Sequence, residues 1–169
     1  MAMSKKKIGV LAGGILALLV VVAVAAGGGG GSSSASSSLE KGFRGVPWGI
    51  TKQEAIAKYD LTGNYPEDPF LRRKGENLSL GSVQLQEIVY VFLGDGTFKN
   101  VNLKLNSNYA QQVVTELTKM FGKPTTLTNS VAEWKLKGAD IKLSGSRTTT
   151  GTMIIDIRGV SGRSQGGGL

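Results

Sequence analysis

The sequence predicts an α+β fold, a two-layer sandwich in which one antiparallel sheet carries two helices on one face. One N-terminal transmembrane or signal helix precedes this domain. Three observations lead to the prediction: an uncharged apolar run at residues 8–26, two segments whose apolar residues recur at three- and four-residue steps, and later segments in which apolar and polar residues alternate. The first spacing is typical of an amphipathic helix, and the alternation is typical of a strand buried on one face.

The N-terminal run is expected to engage a membrane. Residues 1–7 form a basic end with three lysines, and residues 8–26 contain no charged or polar side chain. As a helix with a rise of about 1.5 Å per residue, the run covers roughly 28 Å, close to the thickness of the hydrocarbon core of a bilayer. Two interpretations stay open, an uncleaved transmembrane anchor and a signal peptide cleaved after the small residues Ala23-Val24-Ala25.

Both interpretations place the rest of the chain outside the cytoplasm, because the lysines stay on the cytoplasmic side under the positive-inside rule. The protein is then a single-pass protein of the bacterial inner membrane or, after cleavage, a secreted or periplasmic protein. Residues 27–38 read GGGGGSSSASSS and are typical of a flexible linker. The folded extracytoplasmic domain is expected at residues 39–159, and residues 160–169 form a C-terminal tail.

The composition excludes several classes of functional site. The chain of 169 residues has no Cys and no His. Disulfides, iron–sulfur clusters and thiolate zinc sites are therefore excluded, and the commonest general base is missing. We expect a protein that is not an enzyme and that holds no cofactor and no metal.

The charge distribution indicates which partners the domain would meet. The formal net charge is +8, and residues 97–169 hold ten basic and four acidic residues. Outside the cytoplasm a basic surface would meet anionic lipid, a cell-wall polymer or an envelope protein. Nucleic acid is not an expected partner in that compartment.

The first helix is predicted from its start signal. Thr51 and Glu54 have the spacing of a capping box. An apolar stripe formed by Ala55, Ile56 and Tyr59 follows, and the helix is expected to end near Tyr59.

The second helix has the clearer amphipathic pattern. Its apolar positions are Ala110, Val113, Val114, Leu117, Met120 and Phe121. Ser107 is the predicted N-cap. Gly122 is predicted to end the helix in a left-handed conformation, and Pro124 prevents its continuation.

Strand-like segments follow each helix. Residues 84–93 and 97–105 flank Gly94-Asp95-Gly96, which predicts a tight hairpin. Three further strands are predicted at residues 131–137, 139–144 and 152–157, and another at about residues 69–74 within the long connection 60–82. The order helix then meander occurs twice, which predicts a structural pseudo-repeat; an irregular α+β domain without internal symmetry is the alternative.

The segment GFRGVPWGI at residues 42–50 combines glycines with Phe43, Arg44 and Trp48. It is interpreted either as a lid that seals the core before the first helix or as an aromatic loop that contacts a peptide or glycan. With MFGKP at residues 120–124 and Trp134 in an alternating strand, the segment resembles small exported or membrane-anchored bacterial proteins that open with an F-R-G-x-x-W-G element. That family has no assigned activity, so the resemblance implies no catalytic residue.

The start of the first helix is also similar to the helix-plus-meander modules of outer-membrane assembly lipoproteins and β-lactamase inhibitor proteins. This resemblance covers one helix start and lacks the lipid-bearing Cys of the lipoproteins. It implies a binding module.

Basic residues are the candidate contacts for a ligand. Lys104, Lys135, Lys137, Lys142 and Arg158 have the parity opposite to the apolar residues of their strands, and Arg72 and Arg73 lie in the 60–82 connection. These side chains are predicted to line a sheet face that binds an anionic partner. The alternative is a solvated face in which Glu133, Asp140 and Asp156 offset the lysines.

The leading functional hypothesis is a membrane-tethered extracytoplasmic binding or protein-interaction module of the bacterial envelope, with the sheet face and the 60–82 connection as its contact surfaces. A second hypothesis is a hydrolase that uses carboxylates such as Glu67 or Asp68, which requires a second acid across a cleft. A third is a structural subunit of an envelope complex, which would expose a contiguous apolar patch.

Overall fold

The computed structural model describes residues 39–145 and 151–160. The predicted membrane segment at 8–26, the linker at 27–38 and most of the C-terminal tail lie outside the described residues. Within the two described ranges, no helix is both long and apolar enough to cross a bilayer.

The chain forms a mixed α+β fold with a large antiparallel sheet and few helices. Helix α1 spans Lys52–Tyr59, helix α2 spans Ala110–Phe121, and a 3₁₀ turn spans Ser107–Tyr109. The strands are β1 Gly42–Phe43, β2 Val46–Pro47, β3 Leu61–Thr62, β4 Phe70–Arg73, β5 Ser79–Leu80, β6 Val83–Gln84, β7 Glu87–Val91, β8 Asn100–Asn106, β9 Thr126–Leu127, β10 Val131–Lys135, β11 Ala139–Ser144 and β12 Thr152–Gly159.

Eight strands form the main sheet in the order β3-β4-β7-β8-β12-β11-β10-β9, and neighbouring strands are antiparallel throughout. Strands β8 and β12 meet at its centre, with registered pairs from Thr152↔Asn106 to Arg158↔Asn100. Two small hairpins, β1–β2 and β5–β6, lie outside this sheet. The predicted strand within the 60–82 connection is confirmed as β4.

One face of the sheet is buried and the other is more exposed. The alternating residues Val101, Leu103 and Leu105 of β8 belong to one apolar core together with Met153, Ile155 and Ile157 of β12, Ala55 of α1 and Val113 and Leu117 of α2. The opposite face, called the outer face below, carries Asn102, Lys104 and Asp156. The predicted alternation in the three C-terminal strands is confirmed.

Helix α1 begins as predicted. The Thr51 hydroxyl accepts the Glu54 N–H at 3.3 Å, and the Glu54 carboxylate accepts the Thr51 N–H at 3.4 Å, which completes the capping box. The helix ends at Tyr59, and Asp60 follows with a positive φ of 54°.

The predicted apolar stripe of α1 needs one correction. Ala55 is fully buried and Tyr59 packs partly against the core, but Ile56 is 43% exposed. Successive helical residues are about 100° apart around the axis, so an eight-residue helix that buries Ala55 turns its neighbour outward.

Helix α2 has the predicted apolar face, because Ala110, Val113, Val114 and Leu117 are buried. The predicted Ser107 cap is wrong. The chain first forms the 3₁₀ turn, where the Asn106 side chain accepts the Asn108 N–H at 2.9 Å, and Ser107 is itself buried. Gly122 ends the helix with a positive φ of 83° as predicted, although its ψ of −171° lies outside the left-handed helical region.

The prediction of a tight turn at Gly94-Asp95-Gly96 is wrong, although the two strands on either side of it do pair. Strands β7 and β8 do pair, but their ladder ends at Val91↔Asn100. Residues 92–99 leave the ladder, and residues 96–98 among them pair with residues 49–52 at the start of α1. The Phe98 N–H donates to the Ile50 carbonyl at 2.8 Å, and Thr51 forms an isolated bridge with Thr97.

Candidate binding site

A concavity of about 330 Å³ lies on the outer face, where the 60–82 connection meets the sheet. Its floor comes from β7, β8 and β12, and its wall comes from the loop before β4. The lining side chains are Asn64, Tyr65, Asp68, Phe70, Arg72, Glu87, Val89, Asn102, Lys104 and Ile154. Its volume is at the lower end of the range for small-molecule sites.

The floor of the concavity combines apolar surface with one unpartnered acceptor. Asn102 pairs with Val89 in the register of β7 and β8, and Val89 is 9% exposed. The Asn102 Oδ1 atom is buried and has no hydrogen-bond partner among the described residues. A buried acceptor without a donor costs free energy, so Asn102 is an unfavourable position in the floor.

The rim of the concavity exposes three large apolar side chains. Tyr65 is 57% exposed, Phe70 is 40% exposed and Ile154 is 44% exposed. Their shared position on one concavity distinguishes them from the exposed apolar residues elsewhere in the fold. Clustered aromatic and aliphatic side chains around a few polar groups are typical of a ligand site.

Asp68 fixes the loop that forms the wall. Its side chain accepts the Asn64 N–H at 2.8 Å and the Phe70 N–H at 2.9 Å, and the residue is only 2% exposed. Lys52 Nζ adds a bond to the Pro66 carbonyl oxygen at 2.8 Å. The hydrogen bonds from Asn64 and Phe70 lower the pKa of Asp68, so its carboxylate stays ionised. The wall is therefore positioned before any ligand arrives.

Two predicted contact residues, Arg72 and Lys104, do line the concavity. Arg72 Nε lies 2.6 Å from the Glu87 carboxylate in a partly exposed ion pair. Lys104 is exposed and lies opposite Glu87 in the register of β7 and β8. The charges of the lining cancel, because Arg72 and Lys104 face Asp68 and Glu87.

The other predicted outer-face cations form a second, shallower concavity of about 230 Å³. Lys135, Lys142 and Arg158 line it together with Glu133, Asp140 and Asp156. Lys135 is 2.9 Å from Asp140, and Lys142 is 3.4 Å from Glu133. This surface is locally balanced in charge, as the solvated-face interpretation requires.

Lys137 does not join that surface. It follows the end of β10, in the turn before β11, and its Nζ lies 2.7 Å from Glu40 Oε1. A Cβ atom on the adjacent Gly138 would lie 2.2 Å from the Glu40 Cα atom, so the start of the domain passes directly over this turn. Lys137 therefore forms an exposed ion pair with that crossing segment.

The F-R-G-x-x-W-G element seals the core. Phe43 is 6% exposed and packs edge-on against Tyr90, with ring centroids 5.9 Å apart. Trp48 stacks on Phe98 at 4.7 Å, and its Nε1 donates to the Leu39 carbonyl oxygen at 2.8 Å. The aromatic rings of the element therefore face the protein, as the lid interpretation predicts.

Arg44 and Arg73 belong to a network around a buried acid. Glu76 has a side chain that is 6% exposed, and it accepts the Tyr90 hydroxyl at 2.6 Å and Arg44 Nη1 at 3.4 Å. Arg73 Nη1 is 4.0 Å from the same carboxylate. Burial, followed by the bond to Glu76, raises the pKa of Tyr90. The two arginines thus fasten the segment after β4 to the N-terminal element.

The carboxylates proposed for a hydrolase have different surroundings. Glu67 is exposed, whereas both oxygens of Asp68 accept loop N–H groups. A general acid needs a raised pKa, and that of Asp68 is lowered. Among the described residues, no group of three or more acidic side chains is arranged to hold a metal ion.

The most distinctive residues of the larger concavity, Asn102, Tyr65, Phe70 and Ile154, were not among the predicted contacts. One sequence signal points to the site. The segments at residues 88–91 and 153–155 are apolar at every position, so they break the alternation expected of a strand with one solvated face. Val89, Val91 and Ile154 are the apolar residues of these segments on the outer parity, and Val89 and Ile154 line the concavity.

Comparison with known proteins finds no family model, no curated protein and no solved structure that matches this chain.

Proposed function

We propose that the protein is a membrane-tethered extracytoplasmic binding module of the bacterial envelope, and that the concavity of about 330 Å³ is its ligand site. The observation that supports the proposal is the grouping of three exposed apolar side chains, Tyr65, Phe70 and Ile154, around this one concavity. Exposed apolar side chains that line a shared concavity are typical of a surface that a ligand or partner covers.

The proposed architecture is a two-layer sandwich built from two helix-plus-meander halves. Helix α1 leads into β3, β4, β7 and β8, and helix α2 leads into β9 to β12. The strand order then places β8 beside β12, the last strands of the two halves, at the centre. The first strands, β3 and β9, lie at the two edges. Both helices contribute to a single core, which supports their placement on one face and leaves the outer face for ligand.

The tether is proposed to leave the domain at one end of the sheet. Glu40 crosses Gly138, and the Val160 N–H donates to the Gly138 carbonyl oxygen at 3.0 Å, so the two ends of the domain meet there.

A site-specific photo-cross-linker tests the binding proposal. We would place p-benzoylphenylalanine at Tyr65 in the full-length chain, and at Ile56 as the control, because Ile56 is also exposed but lies on α1. The proposal expects an adduct with an envelope component from position 65 and none from position 56. Equal adducts at both positions, or none from position 65, would overturn it.

Fractionation and protease protection test the location. The proposal expects the domain to be degraded by protease added to spheroplasts. A full-length product in the membrane fraction indicates the anchor, and a shortened soluble product indicates cleavage; both outcomes support an extracytoplasmic domain. A full-length product that remains protected in the cytosol contradicts the proposal.

A further inference from the structure

We infer that a cationic patch, at the end of the sheet where the tether attaches, binds the anionic phospholipid headgroups of the bilayer that holds the anchor. This inference rests on the tethered location in the proposed function, and it concerns a surface separate from the concavity of about 330 Å³. The cationic patch is defined by five exposed residues: Lys41, Lys123, Lys135, Lys137 and Arg158.

Three cations of the patch lie around the turn between β10 and β11. Lys135 ends β10, and its Nζ lies 2.9 Å from Asp140 Oδ2. Arg158, near the end of β12, is the register partner of the same Asp140. Lys137 lies in the turn itself, 2.7 Å from Glu40 Oε1. These three side chains are therefore held at one end of the sheet.

The other two cations come from segments that pack against this end. Lys41 belongs to the segment that crosses the turn between β10 and β11. Lys123 follows Gly122, whose carbonyl oxygen accepts the Trp134 Nε1–H from β10 at 2.9 Å. Neither lysine forms an ion pair with another described residue, so both charges are available to a partner.

The cationic patch accounts for the net charge of the described residues. These residues include 15 basic and 12 acidic side chains, so their net charge is +3. The five cations of the patch have two acidic partners, Glu40 and Asp140, which leaves the same +3. The adjoining row of the sheet, Glu133, Lys142 and Asp156, adds one negative charge, so this end stays positive. A surface charged in this way is attracted end-on to an anionic surface.

The tether determines which anionic surface is near. The Leu39 carbonyl oxygen accepts the Trp48 Nε1–H at 2.8 Å, and the chain before Leu39 leads through residues 27–38 to the predicted membrane segment at 8–26. A Gly- and Ser-rich chain of 12 residues has a root-mean-square span of about 19 Å. The headgroups of the protein's own bilayer therefore lie within reach at a high effective concentration. A flexible tether does not orient the domain, and the patch supplies the orientation.

Binding to headgroups requires exposed charge and no shaped pocket. Each Lys or Arg close to an anionic membrane surface strengthens binding about fivefold. The attraction falls off within about 10 Å at 0.1 M salt, so only the end of the domain that touches the bilayer contributes. Five exposed cations at the attachment point of the tether meet both requirements.

Energy transfer in the full-length chain tests the inference. Because the chain has no Cys, Val160→Cys and Thr152→Cys each place a single dye, at opposite ends of β12 and about 26 Å apart. The chain is reconstituted in nanodiscs that carry an acceptor dye on their headgroups, with phosphatidylcholine alone or mixed with phosphatidylglycerol. The inference expects phosphatidylglycerol to raise the transfer from position 160 relative to position 152, and high salt to reverse this increase.

Charge variants assign the effect to the patch. The test variant replaces three lysines of the patch: Lys123→Gln, Lys135→Gln and Lys137→Gln. The control variant replaces three exposed lysines elsewhere: Lys58→Gln, Lys74→Gln and Lys119→Gln. Each set removes the same charge and contains two ion-paired lysines. We expect the test variant to lower the ratio of docked to undocked domain by at least about tenfold, and the control variant to resemble the wild type.

The inference and the proposed function fail in different ways. Equal transfer from position 160 in the two kinds of nanodisc overturns the inference, including the case in which the patch binds an anionic cell-wall polymer instead. An equal loss in the test and control variants also overturns it, because only total charge would then matter. In both cases the chain is still held in the nanodisc, and the tethered binding module stands. A chain that does not enter nanodiscs overturns the membrane tether of the proposed function, and the inference with it.

Discussion

Gly159 lies against the Trp48 ring, where there is no room for a side chain. A Cβ atom at Gly159 would lie 2.5 Å from the Trp48 ring, and that ring is held by Phe98 and by its bond to the Leu39 carbonyl oxygen. The indole therefore has little room to retreat. We expect Gly159→Ala to lower the free energy of unfolding by about 1–3 kcal/mol, as measured by urea denaturation.

Gly151→Ala is the control for that substitution. A Cβ atom at Gly151 would meet no described residue within 4 Å, so the change should alter the free energy of unfolding by less than about 0.5 kcal/mol. An equal loss of stability in the two variants would contradict the proposed clash.

Asp68 is expected to make stability depend on pH. The hydrogen bonds from Asn64 and Phe70 lower its folded-state pKa below the ordinary value of 3.8. A lowered folded-state pKa contributes stability that is present above the unfolded-state pKa and is lost as the pH falls through the folded-state pKa. Asp68→Asn removes this contribution, so the urea midpoints of the wild type and the variant should differ at pH 7 and converge toward pH 3.

The neighbouring carboxyl group provides the control. Glu67 is exposed, so Glu67→Gln should leave the urea midpoint close to that of the wild type at both pH values. A constant difference between Asp68→Asn and the wild type across the pH range would mean that ionisation of Asp68 is not coupled to folding.

At the level of elements, helix α1 depends on its cap more than on its length. Eight residues are too few for a stable isolated helix, and of these only Ala55 is buried. The capping box satisfies two N–H groups at the start of the helix. We expect Thr51→Ala to lower the free energy of unfolding by about 1 kcal/mol, measured by urea denaturation followed by circular dichroism.

Gln53→Ala is the matched change within the same helix. Gln53 is exposed, and Ala is a strong helix former, so this substitution should be neutral within about 0.5 kcal/mol. If the two substitutions cost the same, the cap is not what stabilises α1.

The elements that sequence predicts well are those whose signals are local. The capping box, the apolar face of α2 and the alternation of β10 to β12 each lie within a short stretch of chain, and each is confirmed. The turn after β7 was missed because its conformation is set by a distant segment. Phe98 pairs with Ile50 and stacks on Trp48, and these contacts override the local preference of Gly94-Asp95-Gly96 for a tight hairpin.

The concavity lies where the two predicted contact surfaces, the outer face and the 60–82 connection, meet. Its apolar lining was not predicted, because the candidate contacts were selected by charge, and in the structure most outer-face cations have acidic neighbours. Glu76 was missed for a related reason, since the burial of an acid beside Arg44 and Tyr90 arises from long-range packing.

The whole molecule is joined along one central seam. Strands β8 and β12 come from the two halves of the chain, and Leu103 lies opposite Ile155 in the middle of their ladder, with both side chains buried. The core is one cluster that includes residues of both halves. Neither half can expose its side of this seam without losing apolar burial, which favours unfolding as one unit.

Two tryptophans allow that cooperativity to be measured. Trp48 packs on Phe98 near the start of the domain, and Trp134, in β10, is buried with its Nε1 donating to the Gly122 carbonyl oxygen at 2.9 Å. In Trp48→Phe the remaining Trp134 reports on the second half. In Trp134→Phe the remaining Trp48 reports on the place where Phe98 of the first half meets Gly159 of the second. In each variant we expect the urea transition followed by fluorescence to coincide with that followed by far-ultraviolet circular dichroism, because a two-state domain loses both signals together.

Each variant serves as its own reference in this test, so the stability lost through the Trp→Phe change does not affect the comparison. Separate transitions within one variant would show that the two halves unfold independently, and the β8–β12 seam would then not couple them. If the transitions coincide, the concavity of about 330 Å³ belongs to the same cooperative unit, because its floor includes β7, β8 and β12 on both sides of the seam. A ligand bound there should raise both midpoints of a variant by the same amount, since binding to the folded state stabilises the whole cooperative unit.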